Sequence, residues 1–259
     1  VKITVLGCGA AGGVPTVSQG WGDCDPTNPK NRRRRPSILV EAAGQTLLVD
    51  TGADLREQLL SAAVRRLDAV LYTHAHADHL HGIDDLREIN RAMGGPIPAY
   101  ANAETLADIA QRFGYVFTPL PPKAKNIFKP WLIPTPIEDR FAVGGLEVTA
   151  FDQDHGFSRT TGFRFGRAAY STDVLELPEA SLAQLQGLDL WIVGCLLDLP
   201  HSTHAHIAKA LAWREIVKPK HMVITHMSGR LDYARLAASL PDGVEPAYDG
   251  MVLTLPSSG

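Results

Sequence analysis

One seven-residue run constrains this chain more than any other: Thr73-His74-Ala75-His76-Ala77-Asp78-His79, set directly after the apolar stretch Ala69-Val70-Leu71-Tyr72. A short unbroken apolar run of that kind reads as a strand buried on both faces. His74 and His76 are two apart in extended chain, so both side chains leave the same side of it. Asp78 and His79 fall at the first turn of a following helix, where a carboxylate suits the positive end of the dipole. Four side chains able to ligate a metal thus leave the backbone close together. A buried strand aims them at the C-terminal edge of a sheet, where open α/β folds bind ligands. A surface loop that is merely rich in histidine would need no such strand beneath it.

Three more candidates follow strands in the same manner. His155 ends Phe151-Asp152-Gln153-Asp154-His155, Asp173 ends Tyr170-Ser171-Thr172-Asp173, and His226 ends Ile224-Thr225-His226. One such residue alone would pass for a core histidine or a capping aspartate. Three at the ends of three strands point to one shared edge.

The rest of the chain supplies the sheet that such an edge requires. Strand-like runs lie at 2–6, 37–41 and 46–49, bounded by Gly or Pro. A helix is expected over 53–63, with Leu55, Leu59 and Leu60 at helical spacing, and another over 83–93. Pro119, Pro121, Pro122, Pro130, Pro134 and Pro136 punctuate a connection read as a surface segment near the site mouth. Strands follow at 147–151, 162–165 and 168–170, then a helix at 179–186 and a strand at 190–193. A helix at 206–217 leads to strands at 222–225 and 251–255. Strands alternate with helices in two similar halves, which favours one α/β domain over 1–259.

Bulk properties narrow the function. With 45% hydrophobic residues in 259, the chain can bury a sizeable core. A formal net charge of -3 recruits neither nucleic acid nor anionic membrane, and the one strongly basic run, Arg32–Arg35, is local. Three cysteines (Cys8, Cys24 and Cys195) are too few and too scattered for a disulfide framework and suit a reducing compartment. No run reads as a signal peptide, and 188–199, the most apolar stretch, is too short to cross a bilayer. The expected location is cytoplasmic.

Taken in order, Leu48-Val49-Asp50-Thr51-Gly52, the His74–His79 cluster, His155, Asp173 and His226 resemble the five motifs of the metallo-β-lactamase superfamily. The resemblance runs over nearly the whole chain and implies an αββα sandwich. It further implies one metal ion on His74, His76 and His155, a second on Asp78, His79 and His226, and Asp173 bridging the two. Imidazoles and carboxylates without a thiolate suit Zn²⁺, Mn²⁺ or Fe²⁺. Two such ions about 3.5–4 Å apart activate a water and clamp a phosphoryl or carbonyl oxygen. Asp50 reads as a brace rather than a ligand.

Within the superfamily the chain is most similar to the PhnP-type phosphodiesterases, which act on cyclic phosphates of phosphoribose. The likeness rests on Gly7-Cys8-Gly9, Arg32–Pro36, Thr225-His226-Met227-Ser228 and Tyr248-Asp249-Gly250-Met251. It implies a small phosphodiester or nucleotide as substrate. It also picks out His204, in His201-Ser202-Thr203-His204-Ala205-His206, as general acid, because a leaving alkoxide needs a proton and histidine titrates near working pH. Asp78 and His204 are therefore the expected catalytic residues, Asp78 doubling as a ligand. His201 and His206 read as solvated or helix-starting, His81 as support behind the ligands, and His221 as a surface residue.

The chain departs from the PhnP-type pattern at one point. Such proteins often carry a cysteine-rich turn holding a separate structural zinc, whereas here Cys24 stands alone and Gly229 follows Ser228, so that zinc is expected to be missing. Arg32–Arg35 fit either a phosphate grip or a solvated turn. Gly7–Gly13 is a tight turn and not a phosphate-binding P-loop, since no Lys-Ser/Thr follows. Rival readings on the same fold are a tRNA 3′-end processing endonuclease and a redox or thioester metalloenzyme. The first calls for a broader basic surface. A non-catalytic scaffold fits poorly with seven intact ligands. No membrane partner is expected, and a homodimer is left open.

Overall fold

The computed structural model describes residues 1–123 and 129–256. In chain order its strands are β1 (Lys2–Gly7), β2 (Ser37–Ala42), β3 (Gln45–Val49), β4 (Ala69–Leu71), β5 (Ile97–Ala101), β6 (Leu132–Pro136) and β7 (Arg140–Val143). They continue as β8 (Leu146–Asp154), β9 (Arg159–Phe165), β10 (Ala168–Ser171), β11 (Leu190–Gly194), β12 (His221–Thr225), β13 (Val244–Pro246) and β14 (Val252–Thr254). These form two seven-stranded sheets, ordered β14-β1-β2-β3-β4-β5-β6 and β13-β12-β11-β10-β9-β8-β7. Each sheet begins as an antiparallel meander and continues as parallel strands, β3 to β6 in one and β10 to β13 in the other. The two halves of the chain thus do repeat one grammar.

Alternation along the strands explains the layering. Ile38, Val40, Leu47, Val49, Ala69 and Leu71 join one buried cluster with Phe163, Phe165, Trp191 and Ile224 of the second sheet. Their neighbours Leu39, Leu48, Val70 and Tyr72 join another, with residues of helices α1 (Leu55–Ser61) and α3 (Leu86–Met93). A period of two sends successive residues to opposite faces, so the first sheet packs on the second sheet inside and on helices outside. The second sheet is covered in turn by residues such as Leu185, Ala210 and Trp213, from in and around α5 (Glu179–Gln184) and α6 (Ile207–Val217). The outcome is the expected αββα sandwich.

Several local features differ from the sequence reading. The expected helix over 83–93 is preceded by a separate turn of helix, α2 (Ala77–Leu80), and starts with a 3₁₀ turn, Ile83–Asp85. Between them Gly82 packs so tightly that a Cβ there would lie 2.1 Å from the carbonyl of Gly52. The proline-rich connection contains β6, an edge strand pairing Ala99 with Pro134 and Ala101 with Pro136. An edge strand can carry prolines because its outer N–H groups face no partner; part of this connection, 124–128, lies outside the described residues. Helices α4 (Ala103–Phe113) and α7 (Tyr233–Ser239) were not foreseen. Both carried readable caps: Asn102 accepts from the Thr105 N–H (2.8 Å) and Asp232 from the Arg235 N–H (3.0 Å). Among the described residues no helix is long and apolar enough to cross a membrane.

Candidate metal centre

The candidate ligands gather at one end of the sandwich because each follows the C-terminal end of a strand: His74–His79 after β4, His155 after β8, Asp173 after β10 and His226 after β12. Asp50, after β3, joins them. Asp50 (φ 65°), Asp173 (φ 49°) and His226 (φ 57°) all adopt the left-handed backbone region, which costs a residue with a Cβ of order 1–3 kcal/mol and recurs at functional sites. The turn lets each side chain point back over the strand ends.

Two four-residue groups result, His74/His76/His155/Asp173 and Asp78/His79/Asp173/His226, and within each the candidate ligand atoms lie within 4.8 Å of one another. Asp173 belongs to both. Its Oδ2 lies 3.8 Å from His74 Nε2 and 3.6 Å from His155 Nε2, while Oδ1 lies 3.0 Å from both His79 Nε2 and His226 Nε2. Asp78 Oδ2 closes the second group, 3.2 Å from His79 Nε2 and 3.5 Å from His226 Nε2. All members are buried except His76.

Hydrogen bonds fix which ring nitrogen faces the centre. His155 Nδ1 donates to the carbonyl of Thr203 (2.6 Å), and His79 Nδ1 donates to Asp50 Oδ2 (2.7 Å), a carboxyl whose pKa burial raises above its usual range. The Thr73 hydroxyl donates to Asp50 Oδ2 (2.8 Å), so His74 Nδ1 must donate to that hydroxyl (3.0 Å). In each ring Nδ1 is the nitrogen engaged by the protein and Nε2 is aimed inward, the arrangement that metal-ligating histidines adopt. Asp50 is the brace: buried, it accepts from the Thr73 N–H (2.8 Å) as well. Gly52 permits the close seat of this segment, since a Cβ there would lie 2.1 Å from the Asp78 carbonyl.

The donor set fits a cation. Among the described residues, His74 Nε2, Asp78 Oδ2, His79 Nε2 and both nitrogens of His226 are buried without a well-formed hydrogen bond, although Nε2 of His79 and of His226 lie 3.0–3.5 Å from the Asp78 and Asp173 carboxylates. Native interiors rarely tolerate such groups, each costing about 1–3 kcal/mol when left unmet. Burial opposes ionisation of Asp173, but the imidazoles of His226, His79 and His74 outweigh it and hold the carboxyl well below its usual range. Asp78 is held low in the same way, burial being outweighed by His79 and His226. Burial pushes His79 down, and Asp173, Asp78 and Asp50 more than reverse that. A compact, anionic, nitrogen- and oxygen-lined cage is what a divalent ion requires.

His204 stands at the rim. Its ring stacks on His226 (4.8 Å between centroids, 22°) and meets His155 edge-on (4.7 Å), and its Nδ1 lies 4.0 Å from Asp173 Oδ2. Burial, then the neighbouring charge on His226, pushes its pKa down to about 3. His206 precedes α6, as expected, and His201 is exposed. His81 does not support the ligands: it is exposed and packs 5.6 Å from the Phe113 ring. His221 pairs with Glu245 at 2.9 Å.

The arginine run is largely committed to the fold. Arg33 is buried and donates to Ser228 O (3.0 Å), Leu231 O (2.6 Å) and Asn31 Oδ1 (3.3 Å). Arg34 pairs with Asp249 (3.1 Å) and Arg35 with Asp54 (2.9 Å), while Arg32 lies exposed over Trp21 (5.1 Å). Cys24 is buried and unbridged, its thiol against Gly229 O (3.4 Å) and Leu231 O (3.6 Å). Thr73, Thr203 and Arg112, which donates to Ala75 O (2.6 Å), brace ligand segments and carried no sequence signal beyond proximity.

A model of the β-lactamase superfamily domain matches residues 45–227. Across 262 aligned residues the chain is 29% identical to an octanoyltransferase of Porphyromonas gingivalis, covering 100% of this chain and 52% of that protein. A ribonuclease Z of Bradyrhizobium diazoefficiens is 50% identical over 60 residues, 22% of this chain and 20% of its own length. The chain therefore spans only about half the length of the first of these curated relatives, and its match to the second is a fragment. Among solved structures, a diphosphatase from the PhnP family superposes with a TM-score of 0.90 at 34% identity, covering 98% of both chains. The short form of human tRNase Z superposes at 0.70 with 19% identity, covering 99% of this chain and 100% of that one, a likeness of fold alone.

Proposed function

The chain belongs to the β-lactamase superfamily and, within it, to the PhnP family, and we propose that this metallohydrolase cleaves a P–O bond of a small phosphodiester, cyclic or linear. The observation that carries the reading is Asp173, whose two carboxylate oxygens each face one ligand group, with His204 on the Oδ2 side. In this reading His74, His76 and His155 hold one divalent cation, Asp78, His79 and His226 a second, and Asp173 serves both. Bound there, Zn²⁺, Mn²⁺ or Fe²⁺ would supply Lewis acidity toward water and toward a phosphoryl oxygen.

The chain's own groups do the rest. Asp50 and Thr73 engage Nδ1 of His79 and His74, which leaves Nε2 of each ring facing the centre for a cation. His204 gives a proton to the departing oxygen. Its low pKa without substrate comes from burial and a cationic neighbour, and an anionic phosphate entering beside it favours the protonated form. The similarity to a PhnP-family diphosphatase supports phosphorus chemistry.

The test is metal-loaded protein against cyclic and linear phosphodiesters, diphosphates, a tRNA precursor, thioesters and a β-lactam. Small phosphodiesters should be cleaved and the β-lactam left intact; turnover of the β-lactam or of diphosphates with no phosphodiester cleavage refutes the proposal. The ribonuclease Z match favours one second reading, cleavage at a tRNA 3′ end. Selective cutting of the tRNA precursor would put that reading first.

A further inference from the structure

His204 is held by the backbone on both of its sides. The carbonyl of Thr203, immediately before it, accepts from His155 Nδ1 (2.6 Å). The N–H of Ala205, immediately after it, donates to the carbonyl of Val174 (2.6 Å), next to Asp173. Thr203 O therefore orients a candidate metal ligand and places the candidate acid through one bond. That contact requires the 202–203 backbone to lie almost on top of the turn after β8. Gly156 makes the approach possible: a Cβ there would lie 2.6 Å from Ser202 O, 3.1 Å from Thr203 Cγ2 and 3.4 Å from Thr203 Cα. Its φ of +81° is also a conformation that residues with a Cβ rarely adopt. The first contact is with a carbonyl, which cannot rotate aside as the end of a side chain could.

We propose that Gly156 is a positioning residue for His204: by leaving room for the 202–204 segment against the His155 turn, it sets the distance between the proton donor and the metal centre. The proposal rests on the acid role given to His204 above. A methyl group at 156 pushes the Ser202–Thr203 backbone outward. The His155–Thr203 bond lengthens, and His204, tethered on its other side at Ala205, swings off its stack with His226. Loosening the bond behind His155 can weaken binding of its ion by up to about 10–100-fold, so all variants are compared at a metal excess that keeps both groups filled.

The experiment uses two substrates of the metal-loaded enzyme, bis(p-nitrophenyl) phosphate, whose phenolate leaves unprotonated, and 2′,3′-cyclic AMP, whose ribose alkoxide does not. Removing a general acid costs roughly 10²–10⁴-fold where the leaving group needs the proton. His204→Ala should show that loss on the cyclic substrate and little on the other. Gly156→Ala should show the same selectivity, roughly tenfold or more on the cyclic substrate, with metal content unchanged. In the double variant Gly156→Ala should add nothing further on the cyclic substrate, since a residue acting only through His204 has nothing left to position. Where Gly156→Ala does not fold, Thr203→Gly loosens the same tie from the loop side without adding bulk and should give the same pattern. Equal loss on both substrates, loss of metal, additivity in the double variant or no effect would each overturn the proposal. If His204→Ala itself shows no leaving-group dependence, it is the acid assignment that fails.

Discussion

Asp50→Asn isolates the brace from the ligands. The change keeps the shape of the side chain, and asparagine tolerates the left-handed backbone that Asp50 occupies at φ 65°. What changes is acceptor capacity. Asp50 Oδ2 takes two donors, the Thr73 hydroxyl (2.8 Å) and His79 Nδ1 (2.7 Å), and Oδ1 takes the Thr73 N–H (2.8 Å). Whichever way the amide turns, an NH₂ meets at least one donor. If it faces His79, the ring can satisfy it only by moving its proton to Nε2, the atom aimed at Asp173 and Asp78. Hydrogen bonds to charged groups contribute about 1.5–3 kcal/mol, and removing the partner behind a metal-bound histidine typically costs 10–100-fold in metal affinity. The two magnitudes agree, since 1.4 kcal/mol is about a factor of ten. Competition with a chelating dye should therefore find the Asp78/His79/His226 group weakened about 10–100-fold and the His74/His76/His155 group less so. Unchanged affinity in both groups, with the fold intact by circular dichroism, refutes the tautomer argument.

Asp173→Ala should impair binding at both groups together, because one oxygen faces each; loss of a single ion by elemental analysis rejects the shared role. Stripping the metal with a chelator should lower Tm, and re-addition should restore it, with about 2.7 kcal/mol expected at a metal concentration of 100 Kd; an unchanged Tm would mean that the unpartnered atoms at the centre are met some other way. Cys24→Ser should keep fold and metal content, since the thiol only abuts Gly229 O and Leu231 O; loss of one equivalent of zinc would show that Cys24 is a ligand.

The sheets were legible because alternation and buried apolar runs are local signals. The run Ala69–Tyr72 announced β4, and Leu47 through Val49 split between inner and outer clusters as a strand's period requires. What escaped notice had weaker local marks. The cap before α4 is one asparagine, and β6 is hidden by two prolines that only an edge position excuses. The interruption between α2 and α3 depends on two glycines, Gly52 and Gly82, far apart in sequence.

The candidate site divides along the same line. Its ligands were visible because metal chemistry admits few side chains, and His, Asp and their spacing stand out wherever they occur. Its braces were not, because their partners are chosen by geometry rather than by type. The Asp50–His79 bond spans 29 residues, the His155–Thr203 bond 48 and the Arg33–Leu231 bond 198. In the last two the acceptor is a main-chain carbonyl, which every residue possesses. The basic run shows the consequence most clearly. Read as charge, Arg32–Arg35 could have gripped a phosphate; in the fold Arg33 ties the loop after His226 to the one around Asn31, and Arg34 and Arg35 are paired to carboxylates. A guanidinium buried in the protein and held by three fixed acceptors is out of a ligand's reach, and it was distance along the chain that concealed those acceptors.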